Sequence, residues 1–407
     1  MSTAREAVSG GVGDSVATDG VQADEVSRES SQAESTPESA PVTVDAQAVD
    51  THSGSSAQPA PPTASAPTLT DRLAAIALQT RPLQVQHSGP VQRVDRPRVP
   101  AANIRRTIGD TDLSVHPLAL GCSVFGWTTD GDTAMAILDR HWALGGNLLD
   151  TADSYAAGRS EVLIGSWMRT RGVRDDMVIS TKIGRNRDNP GLSPRSIVGA
   201  VHASLERLGT DHIDLLHFHF DDLDVPLEES LGAVEMLIRS GEVRYLAASN
   251  FTAERLMEAR VLAANGLPRF VALETPYNLM NRVSFESSLA LVTRAQELAV
   301  MPYFALAHGF LTGKYHSKSD LTDTIRAGRA SAYLNRTGLK VLGTVERIAE
   351  DHGVAPSSIA LAWLLARAGV VAPVASASRP EQVDALVAAG SVLLGRADMV
   401  DLDRVSA

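Results

Sequence analysis

From Arg105 onward, short apolar stretches alternate with amphipathic ones at spacings of roughly 25 to 40 residues, the arrangement that parallel strands joined by crossover helices require. Strands are predicted near 117–121, 147–150, 177–182, 213–219, 243–249, 270–275, 300–306 and 370–375. Helices are predicted near 131–144, 160–169, 194–208, 228–239, 252–264, 285–298, 356–367 and 380–389. Ser160, Ser193 (with Pro194 at the first helical position), Thr252 and Ser357 read as openings of four of them. Eight strands and eight helices make an α/β (β/α)8 barrel, and residues 104–407 suit one such domain. Arg106 to Val115 reads as a short hairpin around Gly109. Asp221–Val225 and His316–Thr337 are long connections, and loops of that kind commonly shape a substrate site.

Residues 1–103 have a different composition. They contain no Phe, Trp, Tyr or Lys and are dominated by Ala, Ser, Thr, Pro, Val, Gln and acids. Too little apolar surface is available to offset chain entropy, so a disordered tail and linker is the expectation. Residues 1–50 hold ten acids and two arginines, hence −10 + 2 = −8 of the chain's net −11. Leu73, Ile76 and Leu78 have helical spacing, and 91–106 is rich in Arg and Pro. A marginal helix with an extended linker, or a docking segment for a protein partner or for the barrel surface, both fit. No apolar run reaches the length of about 18 residues that a membrane span needs, and no basic-then-apolar signal pattern opens the chain. A soluble cytoplasmic protein with no membrane partner is expected, and net acidity argues against nucleic acid. The single cysteine, Cys122, excludes an internal disulfide framework and a cysteine-based metal cage.

Four ionisable residues fall at successive strand ends. Asn147-Leu-Leu-Asp150 runs as a strand into a turn carrying Tyr155; Val178-Ile-Ser-Thr-Lys182 ends on an amine; Ile213 to His219 ends on an imidazole. In a (β/α)8 barrel the C-terminal strand ends form the face where chemistry occurs. Only four of the 37 basic residues are lysine, so an amine at 182 stands out in an arginine-dominated chain. An amine's pKa responds to its surroundings and a guanidinium's does not. Each residue also has an ordinary structural reading: Asp150 as a cap, Lys182 as a snorkelling side chain, His219 as a satisfied histidine. His217, two residues earlier on the same face as His219, is read as a barrel-interior residue.

With these motifs in order, the sequence resembles the aldo-keto reductases. The resemblance runs from about Arg105 to about Ala389 through Leu120-Gly-Cys, Asp150-Thr-Ala-x-x-Tyr155, Ser180-Thr-Lys-Ile-Gly184, Asp214-x-x-x-x-His219, Ala248-Ser-Asn-Phe251, Tyr277-Asn-Leu-Met-Asn-Arg282, Gly309-Phe-Leu-Thr-Gly-Lys-Tyr315 and Arg379-Pro-Glu-Gln382. It implies catalytic roles for Tyr155, Lys182, Asp150 and His219, and a hairpin that closes the barrel's bottom. It implies NADPH held extended across the barrel top, with NADH not excluded. No Gly-x-Gly-x-x-Gly follows a strand here, which agrees with that mode of binding. Cofactor positions would be Gly121 and Cys122, Ser249 and Asn250 at the carboxamide, Glu274 beside the nicotinamide, Tyr303 stacked on the ring, Ser376, Ser378 and Arg379 near the 2′-phosphate, and Gln382. Taken alone, Cys122 follows Leu-Gly in an apolar strand and reads as packing. A substrate pocket would include Phe125, Trp127 and residues after Lys314.

Reduction of a carbonyl by hydride needs an acid for the developing alkoxide. Tyr155 supplies a hydroxyl, a cationic Lys182 would lower its pKa, Asp150 would keep the lysine charged, and His219 would orient the carbonyl oxygen. The sequence departs from the family at three places: Glu274 stands where glutamine is common, Ala156 follows the tyrosine in place of glycine, and Ala385-Leu386 replaces a Glu-Asn pair near the adenine. The function implied is interconversion of an aldehyde, ketone or sugar carbonyl with its alcohol. A cofactor-sensing regulatory subunit on the same fold is the alternative. A barrel glycosidase, with Asp150 and Glu274 as paired carboxylates, leaves the lysine and tyrosine without a role.

Overall fold

The computed structural model describes residues 104–321 and 325–407. The predicted tail, with its Leu69–Leu78 segment, lies outside the described residues, as does the middle of the 316–337 loop. The expected hairpin is present: β1 (Arg106–Thr107) pairs antiparallel with β2 (Ser114–Val115) across Gly109. Gly109 takes φ +52°, and a Cβ there would fall 2.5 Å from the carbonyl oxygen of Val271, so the hairpin reaches the barrel only with glycine at that turn.

Eight strands follow: β3 (Ala119–Gly121), β4 (Leu148–Asp150), β5 (Val178–Ile183), β6 (Ile213–Phe218), β7 (Val243–Ser249), β8 (Phe270–Pro276), β9 (Ala299–Tyr303) and β10 (Val374–Ala375). They are parallel and neighbour one another in chain order, with β10 beside β3. The last seam closes through the residues leading to β10, where Val300 N–H donates to Gly369 O (2.8 Å) and Val371 N–H to Val300 O (2.9 Å). This is the (β/α)8 barrel predicted from the alternation. β5 and β6 are buried along their whole length, which is why they read as continuous runs with β-branched and apolar residues on both faces.

Successive residues divide two cores. Leu148, Val178, Leu215, Ala272 and Met301 point inside, where Ile108, Leu113 and Val115 of the hairpin plug the lower end. Leu149, Ile179, Leu216 and Leu273 point outward, against helix residues such as Ile137, Trp167, Val201, Val234 and Trp363. The two-residue period then places Asp150, Ser180, Lys182, His217 and Glu274 on the inner face above the plug.

Ser193 caps Pro194–Leu208 by accepting from Ser196 N–H (3.2 Å), and Thr252 caps Ala253–Ala264 by accepting from Arg255 N–H (3.2 Å). Ser160 and Ser357 do not cap. The helix Arg159–Arg171 opens after Gly158, whose left-handed φ of 86° makes the corner, and the Ser160 hydroxyl donates to Cys122 O instead. Pro356 occupies the first helical position of Pro356–Leu365, which puts Ser357 inside the first turn. β9 stops at Tyr303, short of the predicted 306, because Phe304 turns to φ +52°. Among the described residues three helices lie beyond the expected eight: Ile325–Ala330, inside the predicted 316–337 loop; Arg336–His352, which begins in that loop; and Arg396–Val405, which is held by Trp363 Nε1–H donating to Asp403 Oδ1 (3.0 Å).

Under the barrel, His141 of the helix Gly131–Ala143 is fully buried against Gly146, where a Cβ would fall 2.2 Å from its ring. Burial, with the nearby charges of His116 and Arg105, pushes His141 down to about 3, and burial takes His116 to about 4. Unfolded histidine titrates near about 6.5, so below that pH only the unfolded chain takes up these protons and stability falls as pH falls. At about pH 5 the loss should be about 2 kcal/mol per imidazole, and His141→Leu should remove its share. Urea unfolding at about pH 7 and about pH 5 checks this; an equal acid loss in parent and variant would contradict it.

Candidate active site

Lys182 Nζ donates to both oxygens of Asp150 (2.7 and 2.7 Å) and to Thr151 O (3.1 Å). The two side chains are 1% and 2% exposed, and Ser180 Oγ–H donates to Asp150 Oδ1 (3.1 Å). Neighbouring registers bring them together, because Asp150 pairs with Ser180 across β4–β5 and Lys182 is two residues further up the same face. Burial works against the ammonium, but Asp150, Glu274 and Tyr155 outweigh it and hold Lys182 well above the ordinary lysine value.

Tyr155 opens the turn Tyr155–Gly158 at the end of this loop. Lys182 Nζ is 5.5 Å from its ring centroid, and the His219 ring meets it edge-on at 6.0 Å. The four residues thus share one site. The expected lowering of the tyrosine pKa is not the net result in the cofactor-free site. Lys182 pulls it down, but burial is the larger influence and Asp150 and Glu274 add to it, so the phenol stands above its ordinary value. His219 is neutral because burial, Lys182 and Arg185 all disfavour the imidazolium. Its Nδ1 has no hydrogen-bond partner among the described residues. The glycine departure has a visible consequence: Ala156 and Ala157 take φ of 50° and 55°, a left-handed pair that costs alanine about 1–2 kcal/mol per residue.

Glu274, on β8, lies across the barrel from Asp150 and meets the same lysine, with Oε2 3.2 Å from Nζ and the side chain 3% exposed. Burial, then the Asp150 charge, raises its carboxyl to about 8. His217 Nδ1 is 3.9 Å away, too far for a hydrogen bond; its Nε2 is 3.1 Å from Ser180 Oγ, and burial keeps the ring neutral. His217 is therefore an interior residue, as read from the sequence, but one that faces the charged cluster.

The expected cofactor positions fall into two groups. Asn250, at φ +60° after β7, donates from Nδ2 to His219 O (3.0 Å) and Ser249 Oγ (3.0 Å), and accepts from the Tyr303 hydroxyl (2.6 Å). Ser249 pairs in register with Glu274, so this group abuts the lysine cluster. Gly121 and Ser376 form the other: a Cβ at Gly121 would lie 2.9 Å from Ser376 Oγ. Ser378 and Arg379 are exposed on the turn before Glu381–Ala388, where Gln382 Oε1 accepts from Ser378 N–H (2.8 Å) and Oγ–H (3.2 Å). Cys122 is fully buried with Sγ–H donating to Leu120 O (3.3 Å), and burial pushes its thiol up. It packs, and its backbone N–H ties it to Asp150 O at 2.8 Å.

Of the two expected pocket residues, Trp127 is 62% exposed, whereas Phe125 has no exposed surface and belongs to the core behind the strands. Two further aromatic residues, Phe220 and Phe304, lie beside the site. Phe220 stacks on His219 at 5.4 Å and carries the Arg185 guanidinium 4.6 Å from its centroid; Phe304 lies 4.3 Å from His308. Phe220 was legible as the residue after His219; nothing in the sequence pairs it with Arg185. Asp153, fully buried two residues before Tyr155, is pushed up to about 7 by burial and by Glu161.

The Aldo/keto reductase family profile matches residues 117–407. The chain belongs to that family. Similar relatives include a putative voltage-gated potassium channel subunit beta of Schizosaccharomyces pombe, 33% identical over 297 residues (68% of this chain, 85% of the relative). Norsolorinic acid reductase B of Dothistroma septosporum is 29% identical over 317 residues (74% and 80%), and Protein tas of Escherichia coli is 32% identical over 311 residues (68% and 90%).

Proposed function

We propose that this chain is an NADPH-dependent oxidoreductase that interconverts a carbonyl group and an alcohol, with Tyr155 as general acid and base. The observation that carries the reading is the buried Lys182–Asp150 pair with the Tyr155 ring 5.5 Å from Nζ and the His219 ring 6.0 Å beyond it. A charged amine held out of water beside a phenol serves proton transfer better than packing, since a buried ion pair by itself is weak evidence for stability.

The residues present suit a nicotinamide. Ser249 Oγ accepts from Asn250 and its own proton has no acceptor among the described residues, so it can donate to a carboxamide. The side-chain-free surface at Gly121 beside Ser376 allows a close approach that a Cβ would fill. Bound there, the nicotinamide supplies or receives hydride. Ser249 and Asn250 would hold its carboxamide, and Tyr303, fixed by its bond to Asn250, would lie beside the ring. His219, neutral and with Nδ1 unpartnered, keeps an imidazole available to hydrogen-bond the carbonyl oxygen. Tyr155 then passes its phenolic proton to that oxygen, and Lys182 stabilises the phenolate left behind. The reverse sequence oxidises an alcohol. Trp127, Phe220 and Phe304, each 41% exposed or more, give the mouth an aromatic rim suited to aryl or other flat apolar carbonyl compounds. A cytoplasmic location, where NADPH is available, fits this reading.

The family also favours a second reading, because one relative at 33% identity is named as a potassium channel subunit. A cofactor-sensing subunit would bind NADPH tightly and turn over no carbonyl. Titration with NADPH and NADH by cofactor fluorescence, followed by an assay on a panel of aldehydes and ketones, separates the two. Reduction of aromatic aldehydes supports the enzyme; binding without turnover on any carbonyl would sink it.

A further inference from the structure

Lys182 is shared by two carboxylates. Asp150 meets it from β4 at 2.7 Å and Glu274 from β8 at 3.2 Å, with all three side chains at most 3% exposed. A glutamine at 274 would offer the lysine a neutral oxygen. The glutamate instead adds a second negative charge to a site already neutralised by Asp150. One lysine cannot compensate two buried carboxylates, so the cluster as built carries one charge too many or one extra proton.

We propose that Glu274 is a proton-holding positioning residue of this site, a buried carboxyl group that acts through Lys182 to set how firmly Tyr155 keeps its proton. The inference rests on the reading of Tyr155 as the proton donor. When Glu274 is a carboxylic acid, Asp150 alone balances Lys182, and the ammonium field favours release of the Tyr155 proton to the substrate oxygen. When Glu274 is a carboxylate, the lysine is over-compensated, the phenol holds its proton more tightly, and reduction slows while the reverse reaction gains a stronger base.

Among the groups that face Glu274 no other is set to titrate in the neutral range; Asp153, two residues before Tyr155 and pushed up to about 7, is an aspartate and stays silent under a glutamate carboxyl label. From β4 Glu274 faces Asp150, from β5 Lys182, from β6 His217, which is buried and neutral, from β7 the hydroxyl of Ser249, from the neighbouring turn Tyr155, and from β9 the phenol of Tyr303. The Asn250 side chain donates to Ser249 and His219 and accepts from Tyr303, and it does not bond the Glu274 carboxyl. Glu274 therefore does not merely imitate a glutamine bonded to Asn250. Its carboxyl, raised to about 8 by burial and by Asp150, puts the switch in the neutral range.

Two measurements on the full chain test this. In protein carrying carbon-13 in its glutamate carboxyl groups, infrared spectra from about pH 6 to about pH 9 should show a protonated glutamic acid band that disappears as pH rises and is missing in Glu274→Gln. In single turnovers with bound NADPH and 4-nitrobenzaldehyde, the parent's reduction rate should fall by about fivefold or more over that range, whereas Glu274→Gln, whatever its absolute rate, should lose that fall and keep only what the titration of Asp153 contributes. A parent without a titrating band overturns the inference whatever the kinetics. A parent and variant with the same pH profile overturn it while leaving the enzyme intact. No turnover by the parent on any carbonyl, with the variant equally silent, defeats the proposed function and this inference with it.

Discussion

Replacing Tyr155 by phenylalanine is expected to cut turnover by a factor on the order of 10² or more while leaving NADPH affinity close to that of the parent. The substitution removes one oxygen. The ring keeps its place 5.5 Å from Lys182 and 6.0 Å from His219, so neither the ion pair nor the imidazole loses a packing partner. Stability should change little, because Thr151, Ser160 and Ser180 carry the hydrogen bonds that hold the loop, and Lys182 keeps both oxygens of Asp150 when the hydroxyl is gone. Steady-state assays with an aromatic aldehyde, alongside a fluorescence titration with NADPH, read both effects. Activity comparable to the parent's would remove Tyr155 from the mechanism.

Lys182→Met has the largest expected effect on the fold itself. Methionine fills much the same space without the charge, which leaves Asp150 and Glu274 buried in one cavity with no cation. Removing one partner of a buried pair costs about 3–5 kcal/mol, and here two carboxylates are stranded. They can relieve the repulsion by keeping protons, so their folded pKa values rise above the unfolded ones. By linkage, stability that depends on those protons is present at low pH and lost as pH rises through the folded values. The variant should thus be closest to the parent in acid and furthest from it above about pH 8, with no detectable turnover at either end. Denaturant unfolding at several pH values checks this; a loss independent of pH would mean that the carboxylates are not coupled through the lysine.

Much of this architecture is legible in the residues alone. A strand buried on both faces is written as a run such as Ile213-Asp-Leu-Leu-His-Phe218, and the two-residue period carries Asp150, Lys182 and His219 to one end of one barrel. The caps show where legibility stops: Ser193 and Ser160 look alike in sequence, but Ser160 finds Cys122 O and Thr151 Oγ1 at hydrogen-bond distance and spends its hydroxyl there. The helix Arg336–His352 is written in the spacing of Val341, Leu342, Val345 and Ile348, yet a template of one helix per strand has no place for it. Phe125 and Trp127 are two residues apart, yet one is fully buried and the other 62% exposed, with Gly126 turning between them at φ +71°. Glu274 is the clearest limit. Its position on β8 was readable; that it reaches across the barrel to share Lys182 depends on the radius of a closed sheet, which no stretch of sequence encodes by itself.

The measurement that goes most directly to the central claim is transfer of the hydride. The full chain is incubated with NADPH carrying deuterium at both positions of nicotinamide C4 and with 4-nitrobenzaldehyde, and the product is examined by proton NMR. The site described here predicts an alcohol with one deuterium on the carbinol carbon, formed by the parent and lost with Tyr155→Phe. Tight binding of the labelled cofactor with no labelled alcohol from this or any other carbonyl would contradict it.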